Sequence, residues 1–99
     1  SVIPVYHSTP EIRLEADSDE DKFKIAEQAV EYFTKNNNCI TVDGVRIIYE
    51  NGWGLVRASN TQPVIVCRFE GDSLENMNQI KKTVLNKLKE FGTLKISEH

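Results

Sequence analysis

The sequence predicts an α+β domain of two layers, an antiparallel sheet with two helices on one face, in the order β-α-β4-α. Three observations lead there. Two stretches repeat apolar residues at spacings of three and four, as a helix with one buried stripe does. Between them lie four short apolar segments, the first three separated by Asp43-Gly44 and Asn51-Gly52, dipeptides that favour the positive φ angles of tight hairpins. Ahead of both, Glu11 to Ala16 alternates polar and apolar residues, the period of a strand with one wet face.

In chain order, residues 1–10 carry Pro4 and Pro10 without a clear period and read as an entering linker. Residues 11–92 form the domain. After the strand at 11–16, Ser18 with Asp21 resembles a capping box, and a helix follows to about Lys35 with Phe23, Ala26, Val30 and Phe33 as its expected buried stripe. Asn36-Asn37-Asn38 offers residues that tolerate a left-handed stop. The strands Cys39–Val42, Val45–Glu50, Trp53–Ala58 and Val64–Glu70 make a meander. Ser73 caps the last helix, whose Met77, Ile80, Val84, Leu88 and Phe91 repeat up to Gly92, and residues 93–99 read as a tail.

Composition narrows the function classes. Ninety-nine residues suffice for one core, and no apolar run approaches the roughly 18 residues that cross a bilayer, so a soluble chain with no membrane partner is expected. The start lacks the basic and apolar regions of a secretory leader, which points to the cytoplasm. A net charge of -3, with five acidic residues between Glu15 and Asp21, is the wrong sign for a nucleic-acid surface. That acidic run complements a helix N-terminus, and the lysines at 81, 82, 87 and 89 suit a solvated face and helix C-terminus. Cys39 and Cys67 sit in strand-like segments without metal-ligand spacing and read as buried free thiols. His7 and His99 lie at the ends, away from any partner nucleophile, so no self-contained catalytic group is expected.

One stretch resists the structural account. Arg57-Ala58-Ser59-Asn60-Thr61-Gln62-Pro63 joins the third and fourth meander strands with more residues than a hairpin needs. Ser, Asn and Thr are ordinary turn formers, and Arg57 can be a solvated strand end. The same residues also suit a dianion: a guanidinium fork, two hydroxyls, an amide and a run of backbone N–H groups that can form a nest, with proline fixing the exit.

Residues 43–73, DGVRIIYENGWGLVRASNTQPVIVCRFEGDS, closely resemble the C-terminal domain of the α-D-phosphohexomutases, above all the bacterial phosphomannomutase/phosphoglucomutase branch. The resemblance is carried by the DG turn, G-W before a strand ending in R-A-S-N-T-x-P, and an apolar strand closing in F-E; STPEI at 8–12 is similar to the family's lead into this domain. The resemblance implies a TATA-binding-protein-like fold, in agreement with the element order read above. It implies four-domain isomerases that interconvert sugar 1- and 6-phosphates through a phosphoserine in the first domain, Mg2+ on aspartates in the second, and a sugar-reading loop in the third. None of those motifs occurs in this sequence, so Mg2+ is expected only in the full-length enzyme, with no metal or other cofactor in this domain. The partners implied are a mannose or glucose phosphate and the other three domains of the same chain.

Carried over by motif, Arg57, Ser59, Asn60 and Thr61 grip the substrate phosphate that is not transferred; Gln62 receives no role, and none of the four is expected to be catalytic. The competing expectation is a free-standing, non-catalytic module for phosphorylated ligands, and a purely structural domain comes third.

Overall fold

The structure is a computed structural model that describes residues 7–41 and 44–97. Its two helices and seven strands run β1 (His7–Ser8), β2 (Ile12–Glu15), α1 (Asp19–Asn36), β3 (Asn38–Ile40), β4 (Val45–Tyr49), β5 (Gly52–Ala58), β6 (Val64–Gly71), α2 (Leu74–Phe91) and β7 (Lys95–Ser97). All strand pairs are antiparallel, in the order β3-β4-β5-β6-β2-β7, with β1 also on β6. The α+β class and the β-α-β4-α order are therefore as expected, with two short strands added at the ends. Residues 1–6 of the stretch read as a linker, Val42 and Asp43 of the first hairpin, and 98–99 of the tail lie outside the described residues.

The added strands have separate causes. β1 and β2 lie end to end along β6, but Ser8 pairs with Glu70 while Ile12 pairs with Cys67, so Thr9-Pro10-Glu11 oppose only Arg68-Phe69. This is a bulge, where a proline without an N–H breaks no ladder bond. The buried Thr9 closes it, its N–H donating to Phe69 O at 2.9 Å and its Oγ1 accepting from Phe69 N at 3.1 Å. At the other end, Leu14 pairs with Ile96, so β7 covers the edge that β2 would leave open.

Both helices start on the serines expected. Ser18 Oγ accepts from Asp21 N at 3.1 Å and Ser73 Oγ from Asn76 N at 3.0 Å. Along α2, Met77, Ile80, Val84 and Leu88 face the sheet as read, joined by Leu85. In α1 the buried residues are Lys22, Ile25, Ala29 and Phe33, and Phe23 is 54% exposed. Phe33 is buried as expected, but the other three positions of the stripe were one residue out, because pattern reading places a lysine outside by default. The stop differs too: Asn37 has φ -143, so the chain leaves α1 extended and passes straight into β3. The second hairpin turns on Glu50-Asn51, one residue earlier than read, with Tyr49 paired to Gly52.

The core lies between the helices and the alternate residues of β2, β4, β5 and β6, with Leu14, Ile47, Val56, Ile65 and Phe69 facing Ile25, Phe33, Val84 and Leu88. Side chains of this size each contribute about 1.5–3 kcal/mol when removed from water. Both cysteines are free; Cys39 is half-buried, donating to Phe33 O at 3.2 Å, and Cys67 is fully buried.

Burial pushes the Cys67 thiol from 9.0 up to about 12. The native state thus disfavours the thiolate, so this contribution to stability is complete below pH 9 and is lost as pH rises towards the folded value. Urea unfolding should show stability falling across that window by up to about 1.4 kcal/mol per pH unit, and Cys67→Ala should flatten the slope.

Candidate functional site

The 59–63 loop is held at the end of the longest pairing in the sheet. β5 and β6 stay in register from Gly52↔Gly71 to Ala58↔Ile65, and Ser59 N extends the ladder by donating to Val64 O at 3.0 Å. The chain then reverses in four residues, Asn60 to Pro63. Val64 N donates to Gln62 O at 2.7 Å, closing a three-residue turn about Pro63, whose fixed φ suits such a turn. Ser59 Oγ accepts long hydrogen bonds from Thr61 N at 3.3 Å and Gln62 N at 3.4 Å, and lies 3.4 Å from Thr61 Oγ1. Ser59 and Thr61 therefore share one small polar surface, with Asn60 exposed between them.

Three further contacts fix this surface. On one flank, Arg13 Nη2 donates to Gln62 Oε1 at 2.6 Å, and Ala16 N donates to Pro63 O at 2.7 Å, tying the loop to β2 and its exit. From α1, Lys22 Nζ donates to Ser59 O at 2.6 Å and Gln62 O at 3.1 Å and pairs with Asp19 at 3.3 Å. Opposite, Gly44 has φ +118, and a Cβ there would stand 2.4 Å from Val56 O and 2.8 Å from Arg57 Cβ. Only glycine lets that turn approach the strand carrying Arg57 so closely.

Arg57 is exposed and in register with Val66, which places it by alternation on the sheet face away from the helices. Among the described residues its guanidinium forms no salt bridge. A groove of about 480 Å³ lies at this end of the sheet, with Phe23, Ala26, Glu27 and Val30 of α1 on one wall and Gly44, Arg57, Ala58 and Asn60 on the other. Arg57 and Asn60 thus line this groove, and Ser59 and Thr61 stand beside Asn60 on the same loop. Arg13, Arg57 and Lys22 put three cations at or beneath it, in a chain whose net charge is -3. Gln62, left without a role in the sequence reading, is the residue that Arg13 and Lys22 both hold. Lys22 and Gly44 were missed as site residues. A glycine after aspartate signals only a turn, and nothing in the sequence marks Lys22 apart from the other lysines of α1.

Fold and loop together define a class of protein: a two-layer α+β domain whose central hairpin carries a guanidinium, hydroxyls and an amide at its loop end. The chain belongs to the phosphoglucomutase/phosphomannomutase family, and residues 11–87 match that family's C-terminal domain. A phosphomannomutase/phosphoglucomutase of Pseudomonas aeruginosa is 47% identical over 91 residues, 90% of this chain and 19% of the relative. A phosphoglucomutase of Neisseria meningitidis is 35% identical over 81 residues, 80% of this chain and 18% of the relative. A crystal structure of a phosphoglucomutase/phosphomannomutase family protein from Burkholderia thailandensis superposes with a TM-score of 0.69 at 31% identity, over 92% of this chain and 19% of that one. The chain spans about a fifth of the length of these relatives.

Gly44→Ala should test how far the turn fixes the rim of the 59–63 loop. With a strained φ and a blocked Cβ, it is expected to destabilise the chain by about 1–3 kcal/mol in urea unfolding and to move the Arg57 amide resonance.

Proposed function

We propose that this domain grips the phosphate that is not being transferred while a longer mutase interconverts the 1- and 6-phosphates of mannose or glucose. One observation carries the reading: Arg57 and Asn60 line one groove while Ser59 and Thr61 share a polar surface on the same loop, which Arg13 and Lys22 tie to β2 and α1. The guanidinium supplies two parallel charge-assisted donors, and the hydroxyls and loop N–H groups add shorter-range ones. A phosphate held this way contributes binding energy at a distance from the reacting end, energy that positions the bond to be made. Because the rim recognises a phosphate rather than a particular hydroxyl pattern, it accepts either end of a bisphosphorylated intermediate.

The phosphoserine, the sugar-reading loop and Mg2+ belong, in this reading, to the other domains of the longer enzyme. Among the described residues no group of three His, Cys, Asp or Glu side chains is placed to hold a metal ion. No helix of the described residues is long and apolar enough to cross a membrane. The isolated domain is expected to bind phosphate without turning over sugar phosphates.

In the whole mutase, Arg57→Ala should lower kcat/KM about ten- to a hundredfold, or about 1.5–3 kcal/mol of transition-state stabilisation; an unchanged value overturns the assignment. In the 99-residue chain, inorganic phosphate should move the amide resonances of 57–62 with a dissociation constant in the millimolar range or weaker, since one wall of a site is present. Movement confined to other residues would count against the rim.

A further inference from the structure

Lys22 is the residue with the least expected placement in the molecule. It is 1% exposed, a cation in a position where pattern reading looks for an apolar side chain. Burying an ammonium is unfavourable unless all its donors are satisfied. Here three N–H donors face three oxygens: Ser59 O at 2.6 Å, Gln62 O at 3.1 Å and Asp19 Oδ1 at 3.3 Å. Two of the three belong to the 59–63 loop.

Those two carbonyls determine what the loop shows to solvent. A trans peptide unit points its C=O and the following N–H in opposite directions. With Ser59 O drawn onto Lys22, the Asn60 N–H must point away from Lys22, towards the outer side of the loop. With Gln62 O drawn inward as well, the next residue would aim its own N–H outward, but Pro63 has none, so that peptide adds no competing donor. Thr61 and Gln62 N–H are gathered on Ser59 Oγ between these two fixed points. We propose that Lys22 is the positioning residue of the phosphate rim: from beneath, it holds the carbonyl of 59 inward, which turns the Asn60 N–H out towards an anion, and with Val64 N it holds the carbonyl of 62, so that the loop keeps the shape in which Ser59 Oγ gathers the N–H groups of 61 and 62. The inference rests on the phosphate-binding reading above. It adds that the rim is organised by a buried charge on α1 that never touches the phosphate.

The test uses the 99-residue chain, inorganic phosphate and amide and side-chain 15N resonances. In the native chain, buried Lys22 should give a slowly exchanging ammonium signal, which moves during the phosphate titration with the same midpoint as the 60–62 amides. Lys22→Met, similar in length and without charge, should leave the strand amides of the core in place, shift those of 59–64 before any ligand is added, and weaken phosphate binding about tenfold. Lys24→Met, an equal change of charge on the exposed side of α1, should alter the affinity less than twofold. A Lys22 signal that stays still while the 60–62 amides titrate overturns the positioning role and leaves the phosphate reading standing, whether or not Lys22→Met folds. So does a folded Lys22→Met with native affinity. If phosphate moves none of the loop amides in the native chain, the phosphate reading fails and the role of Lys22 falls with it.

Discussion

The register of β5 on β6 is the constraint on which the rest depends. Unbroken pairing from Gly52↔Gly71 to Ala58↔Ile65 carries Val56, Ile65, Cys67 and Phe69 to one face, where the helices cover them, and Arg57 to the other. A slip of one residue would exchange the two sets and put the guanidinium in the core. The register is pinned at both ends. At one end a Cβ on Gly52 would lie 2.0 Å from Glu70 O, so glycine alone fits beside that strand; at the other, Ser59 N donates to Val64 O. Core and rim are therefore two readings of one hairpin, and a change that disturbs its packing also moves the loop.

What could be read from the sequence was whatever depends on neighbours in the chain. Alternation in Glu11–Ala16, the serines before each helix, the repeat along α2 and the glycine at 44 are all local, and the structure has them as read. What escaped reading depends on residues distant in sequence. The strand at 7–8 exists because Thr9 reaches Phe69, and the strand at 95–97 because Leu14 leaves an edge for Ile96. The roll of α1 was misread because a lysine becomes a core residue only where a loop about forty positions away turns carbonyls towards it. The position of Arg57, Ser59, Asn60 and Thr61 followed from their motif, whereas the contacts that shape their backbone come from β2, α1 and the 44 turn.

Charge follows the same division between whole and part. The acidic excess of the chain is spread over exposed positions, among them Asp17, Asp19 and Glu20 at the start of α1. Around the loop three cations gather, with Arg13 on its flank, Lys22 beneath and paired with Asp19, and Arg57 at the end of β5. Screening over about 8 Å at physiological ionic strength makes the near charges count for more than the total. The expectation of no nucleic-acid partner rests on the total charge and the acidic run, neither of which bears on one compact anion at the loop.

Lys22 also links the loop to the groove beside it. Helix α1 carries two arcs that could face the sheet: Phe23, Ala26 and Val30, or Ile25 and Ala29, with Phe33 common to both, about 100° apart on the helix. Hydrophobicity alone does not choose, since the first arc holds the larger aromatic. The ammonium does: rolling α1 to bury Phe23 would carry Lys22 away from the Ser59 and Gln62 carbonyls and leave two polar groups to find other partners. With Lys22 in place, Nζ sits 4.3 Å from the centre of the Phe23 ring, and Phe23 stays exposed along the groove that Ala58 and Asn60 also line. One buried charge thus fixes the roll of the helix, the direction of the loop carbonyls and the apolar wall beside the rim. The three are satisfied together, because the oxygens that permit the burial are present only when the loop has this shape.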